Sequence, residues 1–398
     1  MPPVEFLLFG ATLMAVALLH RRTLEAALTG LVAVTLYKLV FTGFKTGDGL
    51  AGLAAHLGHE WPTLANLLCL LLGFAILARH FEKSHAPVLL PRYLPDDWKG
   101  AFLMLTAVFF LSSFLDNIAA AMIGGALAHQ LFRAKVHIGY LAAIVAAANA
   151  GGAWSVVGDT TTTMMWIAGV APAQVIECFV ACVVALVVFG VPAAIKQQAY
   201  SPILKDSHAR VRLDWTRIFI VCAILASAAA VNLVVNATFK SAGQFFPFIG
   251  VAVWVAIFAT AGLRRHDWET LPENFKGAAF LLSLVVIASM MPVERLPPAS
   301  WGATLALGFV SAVFDNIPLT ALALKQGGYD WGFLAYAVGF GGSMLWFGSS
   351  AGVALTNMYP EARSAVAWAR EGWYVAVAYV VGFLLMVAVV GWRPDAAL

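Results

Sequence analysis

The chain has 398 residues, 61% of them hydrophobic and 11% charged, where an ordinary soluble domain carries about 25% charged residues. A mean hydropathy of +0.84, with charges gathered between long apolar runs, excludes a soluble globular enzyme and indicates a polytopic all-α membrane protein whose partner is the lipid bilayer. A transmembrane β-barrel would show short alternating segments instead, and a net charge of +3 with no basic cluster or tail excludes nucleic acid as a partner.

In chain order the apolar runs fall near 4–19, 24–43, 63–79, 99–132, 138–170, 173–195, 216–236, 244–263, 277–293, 299–326, 331–357 and 372–392. Most approach the ~20 residues that cross a bilayer as a helix. The first, Val4 to Leu19, has no basic residue before it and no small-residue cleavage pattern after it, so it reads as a retained span rather than a signal peptide. Gly47 to Trp61, with His56 and His59, reads as an amphipathic interfacial segment. The runs 99–132, 138–170 and 331–357 exceed one plain span and contain polar or Gly-rich breaks, so each is predicted to form two helical pieces. Cys69, Cys178, Cys182 and Cys222 all lie in apolar runs. Cys178 and Cys182 share a helix face, but no His or further Cys completes a metal set, which leaves core packing as their role.

The chain also repeats itself. Ser112-Ser113-Phe114-Leu115-Asp116-Asn117-Ile118 matches Ser311-Ala312-Val313-Phe314-Asp315-Asn316-Ile317 at an offset of 199. Gly151-Gly152 and Gly158-Asp159-Thr160 match Gly341-Gly342 and Gly348-Ser349-Ser350 at an offset of 190. This predicts a first transmembrane repeat over 1–195, a cytoplasmic linker over 196–214 and a second repeat over 215–398. Each repeat would hold about five crossing helices and one hairpin that returns to its starting side, and the odd count inverts the second repeat. With the N-terminus outside, the inner loops collect 18 of the 24 basic residues, among them Arg21, Arg79, Arg92, Lys205, Arg210 and Arg264. The outer segments hold five, including Lys45, Lys240 and Lys325, and Lys38 stays within a span. From Lys99 to Leu115 a helix covers roughly 25 Å, short of the ~30 Å core, which argues for a re-entrant hairpin.

An ionisable side chain at membrane depth costs roughly 2.5–3.5 kcal/mol on insertion scales and marks a functional site by default. Asp116, Asp159 and Asp315 qualify. Asp116 and Asp315 stand at predicted hairpin tips, followed by Asn117 and Asn316, while Asp159 stands in the break after Gly158, ten residues beyond Asn149. A helix broken inside the membrane exposes N–H groups at one new end and carbonyls at the other, and these are ready ion ligands. Gly151, Gly152, Gly158, Gly341, Gly342 and Gly348 would permit the non-helical turns. Acid, amide and hydroxyl oxygens without thiolate or imidazole suit a hard cation. Carboxylates held close in low dielectric resist joint ionisation, so proton and metal ion would compete for them. The repeat is chemically uneven, since Asp159 corresponds to Ser349 and Asn149 to Gly339, which makes Asp116 and Asp159 the first candidates to hold the cation. Asp315, Asn316, Ser343, Ser349 and Ser350 would complete the cavity. Asn117 and Asn316 also suit helix capping, Thr160 and Thr163 back-bonding to helix carbonyls, and the paired glycines close helix packing.

The motifs SFLDNIAAAM (113–122), NAGGAWSVVGDTTTTMMWI (149–167) and VFDNIPLTALAL (313–324) resemble those of the NhaD-type sodium/proton antiporters of the ion transporter superfamily, which also contains arsenite permeases and divalent-anion and citrate carriers. The resemblance implies two inverted repeats, each with a re-entrant hairpin and a broken helix, and exchange of Na+ or Li+ for H+ across a bacterial inner membrane without a cofactor. It points to Asp116, Asn117, Asn149, Asp159, Thr161, Thr162, Asp315, Asn316 and Ser343 as the site. The resemblance covers 112–167 and 311–350. Three rivals remain: an arsenite or related oxyanion permease on the same fold, a channel, and an intramembrane aspartyl protease, whose usual Gly-x-Gly-Asp is absent before Asp159. The sequence leaves the oligomeric state, a homodimer included, open.

Overall fold

The computed structural model describes residues 3–19, 22–86, 94–203, 212–238 and 245–395. Arg21, Arg92, Lys205, Arg210 and Lys240 of the charge count lie outside these residues, as does 204–211 of the linker. Every regular element among the described residues is helical. In chain order they are α1 (Val4–Leu18), α2 (Thr23–Tyr37, continued by a π-helical turn over Lys38–Thr42), α3 (Gly49–Lys83), α4 (Trp98–Ser112), α5 (Asn117–Leu131) and α6 (Ile138–Ala153). There follow α7 (Thr160–Ile167), α8 (Pro172–Ile176), α9 (Phe179–Tyr200), α10 (Trp215–Thr238), α11 (Phe248–Thr260) and α12 (Leu271–Ser289). The last six are α13 (Trp301–Ser311), α14 (Asn316–Gln326), α15 (Trp331–Gly341), α16 (Ser350–Met358), α17 (Ala365–Glu371) and α18 (Trp373–Val389). Five helical stretches are long and apolar enough to cross a membrane: Thr23–Thr42, Gly49–Lys83, Pro172–Tyr200, Trp215–Asn232 and Trp268–Ser289. Several shorter apolar helices accompany them, and the protein is a multi-pass membrane protein.

The three long runs divide as their polar breaks require, and 299–326 divides as well, into α13 and α14. Two other expectations are corrected. Gly47 to Trp61 is no separate interfacial piece, because α3 runs unbroken through Pro62 for 35 residues. Two of its polar residues meet neighbouring helices: His56 is buried and meets Ser289 Oγ at 3.0 Å, while Glu60 pairs with Lys325. The helix α9 likewise continues to Tyr200, past the expected start of the linker at 196. Gln197 stays inside because its amide accepts from His137 N at 2.8 Å and donates to Lys135 O at 3.1 Å, tying α9 to the turn between α5 and α6.

The helices pack as two sets. The first three helices of each half associate, with α1 on α2, α2 on α12, α3 on α12, and α10 and α11 on α3. The remaining helices form the second set around α6 and α15, which lie against each other. Residues Gly139 to Ala153 and Trp331 to Gly341 are all buried, as apolar residues on every face of a helix demand. The sets meet chiefly where α12 packs on α14.

Glycine acts here through close approach. None of Gly151, Gly152, Gly158, Gly341, Gly342 and Gly348 has a positive φ, so of the two readings the sequence offers, a non-helical turn or close packing, it is close packing that requires glycine. A Cβ at Gly151 would stand 1.9 Å from Phe109 O, and one at Gly341 2.3 Å from Gly308 O. At Gly158 and Gly348 it would meet Ser112 O at 2.2 Å and Ala312 O at 2.4 Å. Both broken helices therefore rest on the backbone of the preceding hairpin arm. Overpacking of this kind costs about 1–3 kcal/mol, so Gly151→Ala is expected to lower the unfolding midpoint of the detergent-purified protein. Gly10→Ala, where a Cβ meets nothing within 4 Å, is expected to leave it unchanged or slightly higher. Equal midpoints for the two variants would refute this role for Gly151.

Candidate functional site

Four helices begin at the site: α5, α7, α14 and α16. Their N-caps are Asp116, Asp159, Asp315 and Ser349. A helix N-terminus carries unpaired N–H groups and roughly half a positive charge, which stabilises an anionic cap. The Asp159 carboxylate accepts from Thr161 N at 3.1 Å and Asp315 from Ile317 N at 3.0 Å, and Ser349 Oγ accepts from Gly352 N at 3.3 Å. The Asp116 side chain makes no capping hydrogen bond. Among the described residues, none of the three carboxylates has a basic side chain within ion-pair distance.

The amides and hydroxyls knit the two halves together. Asn149, fully buried, accepts from Asn117 Nδ2 at 3.1 Å, and its own Nδ2 donates to Ser343 Oγ and Ser349 Oγ, both at 3.0 Å. Asn316, the counterpart of Asn117, has Gly339 where the first half has Asn149. Its Nδ2 donates instead to Asp159 Oδ2 at 3.3 Å, in the other half. A Cβ at Gly339 would lie 3.6 Å from that same oxygen, so the missing side chain leaves room for the contact. Ser350 Oγ donates to Asp315 Oδ2 at 3.0 Å.

The threonines divide. Thr162 donates to Ser155 O at 2.6 Å and to Asp159 O at 3.0 Å, and Thr163 to Val156 O at 3.0 Å and Asp159 O at 2.9 Å. Both hydroxyls are thus held by the backbone of the break. Thr161 Oγ1 is buried without a hydrogen-bonding partner.

Two cavities open on these groups from the seam between the helix sets. One, of about 600 Å³, reaches Asp116, Asp159 and Thr160 and runs along α3 and α5 to Arg79, Glu82, Gln130 and Asn274. The other, of about 250 Å³, reaches Asp315 and Ser350 and passes Leu13, Phe280, Leu284 and Asn357. Asp116 and Asp159 therefore line one cavity, while Asp315 lines another.

The structure also supplies residues that sequence reasoning did not single out. Ser112 Oγ donates to Ala148 O at 2.6 Å, and Ser311 Oγ to Val338 O at 2.7 Å. Ser113 Oγ donates to Gly151 O at 3.1 Å, and Ser155 Oγ to Ser113 O at 2.6 Å. These hydroxyls satisfy backbone groups around the breaks. Their signal was present, since Ser112 and Ser311 stand at the same place in the repeated motif. Cys178 donates to Ala153 O at 3.3 Å, at the end of α6, and lies 3.9 Å from Cys182.

No family model matches the chain. Among curated proteins, it is similar to sodium/proton antiporter 1 of Arabidopsis thaliana, with 29% identity over 63% of this chain and 49% of that protein. Sodium/proton antiporter 2 of the same plant is 28% identical over 63% of this chain and 68% of its own length. The Na+/H+ antiporter NhaD of Alkalimonas amylolytica is 29% identical over 65% of this chain and 62% of its own length. The matched region thus spans about half of the first of these relatives. The similarity to NhaD-type antiporters that the motifs imply is found across nearly two thirds of the chain.

Removing the Asn149 amide would leave Asn117, Ser343 and Ser349 without a shared partner inside the protein. At about 1–3 kcal/mol for stranded buried polar groups, Asn149→Ala is expected to lower the unfolding midpoint in detergent by several degrees. A midpoint equal to that of the parent would show that the amide does not tie the halves together.

Proposed function

We propose that the protein is a secondary transporter that exchanges Na+ or Li+ for H+ by alternating access, in a bacterial cytoplasmic membrane, with Asp116 and Asp159 shared between cation and proton. The observation that carries this reading is the pair of carboxylates on one cavity, at the starts of two short helices, with no basic side chain beside them. A hydrated cation entering along α3 and α5 would exchange water for the two carboxylates, the Thr161 hydroxyl and nearby backbone carbonyls. Two carboxylates in one poorly solvated volume resist joint ionisation. Loading a cation would then favour release of a proton, and loading a proton would favour release of the cation. The resemblance of the motifs and the names of the relatives support the same chemistry.

The proposal includes the inverted topology, with the helix pairs α4–α5 and α13–α14 as re-entrant hairpins and with α6–α7 and α15–α16 as broken spans. In that frame both seam cavities open towards the inside, the side of Arg79 and Arg363. Asp315, Asn316 and Ser350 would steady the site from the second half.

An oxyanion permease is the one competing reading with a structural basis, because four helix N-termini favour an anion. Three of those termini already hold a carboxylate, which favours a cation. In everted vesicles holding a pH gradient, Na+ or Li+ is expected to collapse the gradient and arsenite to leave it intact. Absence of a cation response anywhere between about pH 6 and 9 would remove the antiporter reading.

Asp116→Asn and Asp159→Asn are each expected to abolish exchange. Thr163→Ala is expected to retain most of it, because that hydroxyl only bridges backbone carbonyls. Equal activity in all three variants would discredit the assigned site.

A further inference from the structure

The seam between the two helix sets is closed at one end by a single polar contact. Glu60, on α3, pairs with Lys325, near the end of α14; their side chains are 9% and 36% exposed. Three polar ties near this end stay inside one set, His56 to Ser289, Lys45 to Glu294 and Asn66 to Gly250, and Gln326 of α14 donates to Pro297 O in the segment joining α12 to α13. Among the described residues, Glu60 and Lys325 form the ion pair that crosses from one set to the other.

Its position relative to the cavities is the second observation. The larger cavity follows α3 from Leu67 to Glu82, so it begins beyond Glu60 and opens away from it. From Glu60 to Glu82 the helix covers about 33 Å. The smaller cavity ends at Asp315 and Ser350. Lys325 lies about 14 Å along α14 from Asn316, on the side of the site that neither cavity reaches.

The third observation is the helix that joins the two places. One 11-residue helix, α14, carries Asn316 at its start, bonded to Asp159, and Lys325 near its end, bonded to Glu60. A movement of α14 that parts the ion pair also moves the Asn316 amide on the cation site.

We infer that Glu60 and Lys325 form a latch that closes the seam at the end opposite the cavities and parts when the site turns to face that end. The chemistry suits a reversible closure. An ion pair with one partner exposed gains little net stability, and both ions are hydrated when they part, so it can hold the closed state without making it permanent. Ala288 of α12 and Ala321 of α14 belong to one apolar cluster, and Ala321 lies one helical turn before Lys325, so the opening would expose that surface to water. The inference deepens the exchange reading, which requires the site to open to both sides, but its test does not depend on transport.

The test labels a cysteine buried in the seam. Cys222 is exposed and Cys69 partly so, and both are first changed to Ala. Ala321→Cys, 5% exposed in the parent, then reports the seam, and Ala147→Cys, fully buried inside α6, reports the interior of the second set. Glu60→Gln is expected to raise the alkylation rate at position 321 by a polar maleimide about tenfold, the size of a modest population shift, with no change at position 147. The double exchange Glu60→Lys with Lys325→Glu is expected to restore slow labelling. In vesicles, Glu60→Gln is expected to raise the apparent KM for Na+ supplied on the cavity side more than it lowers the maximal rate, because fewer molecules face that side.

Equal labelling at position 321 with and without Glu60 would overturn the latch, and so would a rise at both positions, which marks general loosening. A parent protein that exchanges no cation would sink the transport reading, while the labelling would still decide the latch.

Discussion

The structure depends on one electrostatic arrangement: short helices that start inside the protein and are capped by carboxylates. Each such start gathers unpaired N–H groups that cannot be left bare in an apolar interior. Asp159, Asp315 and Ser349 meet that demand with a side-chain hydrogen bond at three of the four starts, and Asp116 stands at the fourth without one. The caps change the character of the place. Four bare helix ends would attract an anion, whereas three of them filled with built-in carboxylates present acidic oxygens to whatever enters. The helix ends in turn partly offset the cost of keeping those carboxylates charged. Carboxylates thus stand where bare helix ends would otherwise favour an anion.

The caps must be held still, and that task falls to small residues and hydroxyls. The breaks lie against hairpin backbones at distances that exclude a Cβ at Gly151, Gly158, Gly341 and Gly348. The freed backbone groups are then met by Ser112, Ser113, Ser155, Thr162, Thr163 and Ser311. Packing and hydrogen bonding together fix where each helix starts, and so fix the spacing of the carboxylates. Within the second helix set this makes a stiff unit around α6 and α15. The seam towards the first set is looser, and it is there that both cavities lie.

Much of this was legible in the sequence because the bilayer imposes coarse rules on composition. Runs of about 20 apolar residues and glycine-flanked breaks foretold an all-helical membrane protein and the places where its long apolar runs divide. What escaped were properties set by neighbours rather than by local pattern. The polar face of Gly47 to Trp61 read as interfacial, yet His56 and Glu60 find partners on α12 and α14, and no local signal distinguishes a partnered polar face from a hydrated one. The glycines could be read either as permitting non-helical turns or as allowing close packing, and only the neighbouring backbone shows the close approach. The four threonines after Asp159 are alike in sequence, and only the path of the preceding break decides that Thr162 and Thr163 are engaged while Thr161 is not.

The two matching motif pairs differ in their hydrogen bonding. In the first half the hairpin amide Asn117 meets Asn149, and the two satisfy each other within that half. In the second half Gly339 stands where an amide would be, so Asn316 turns to Asp159 across the centre. Asn149 in its turn reaches Ser343 and Ser349 in the second half. The hydrogen bonds of Asn149 and Asn316 thus cross between the halves in opposite directions. Gly339 is therefore as much a part of the site as the carboxylate it leaves room for, although it contributes no polar side chain of its own.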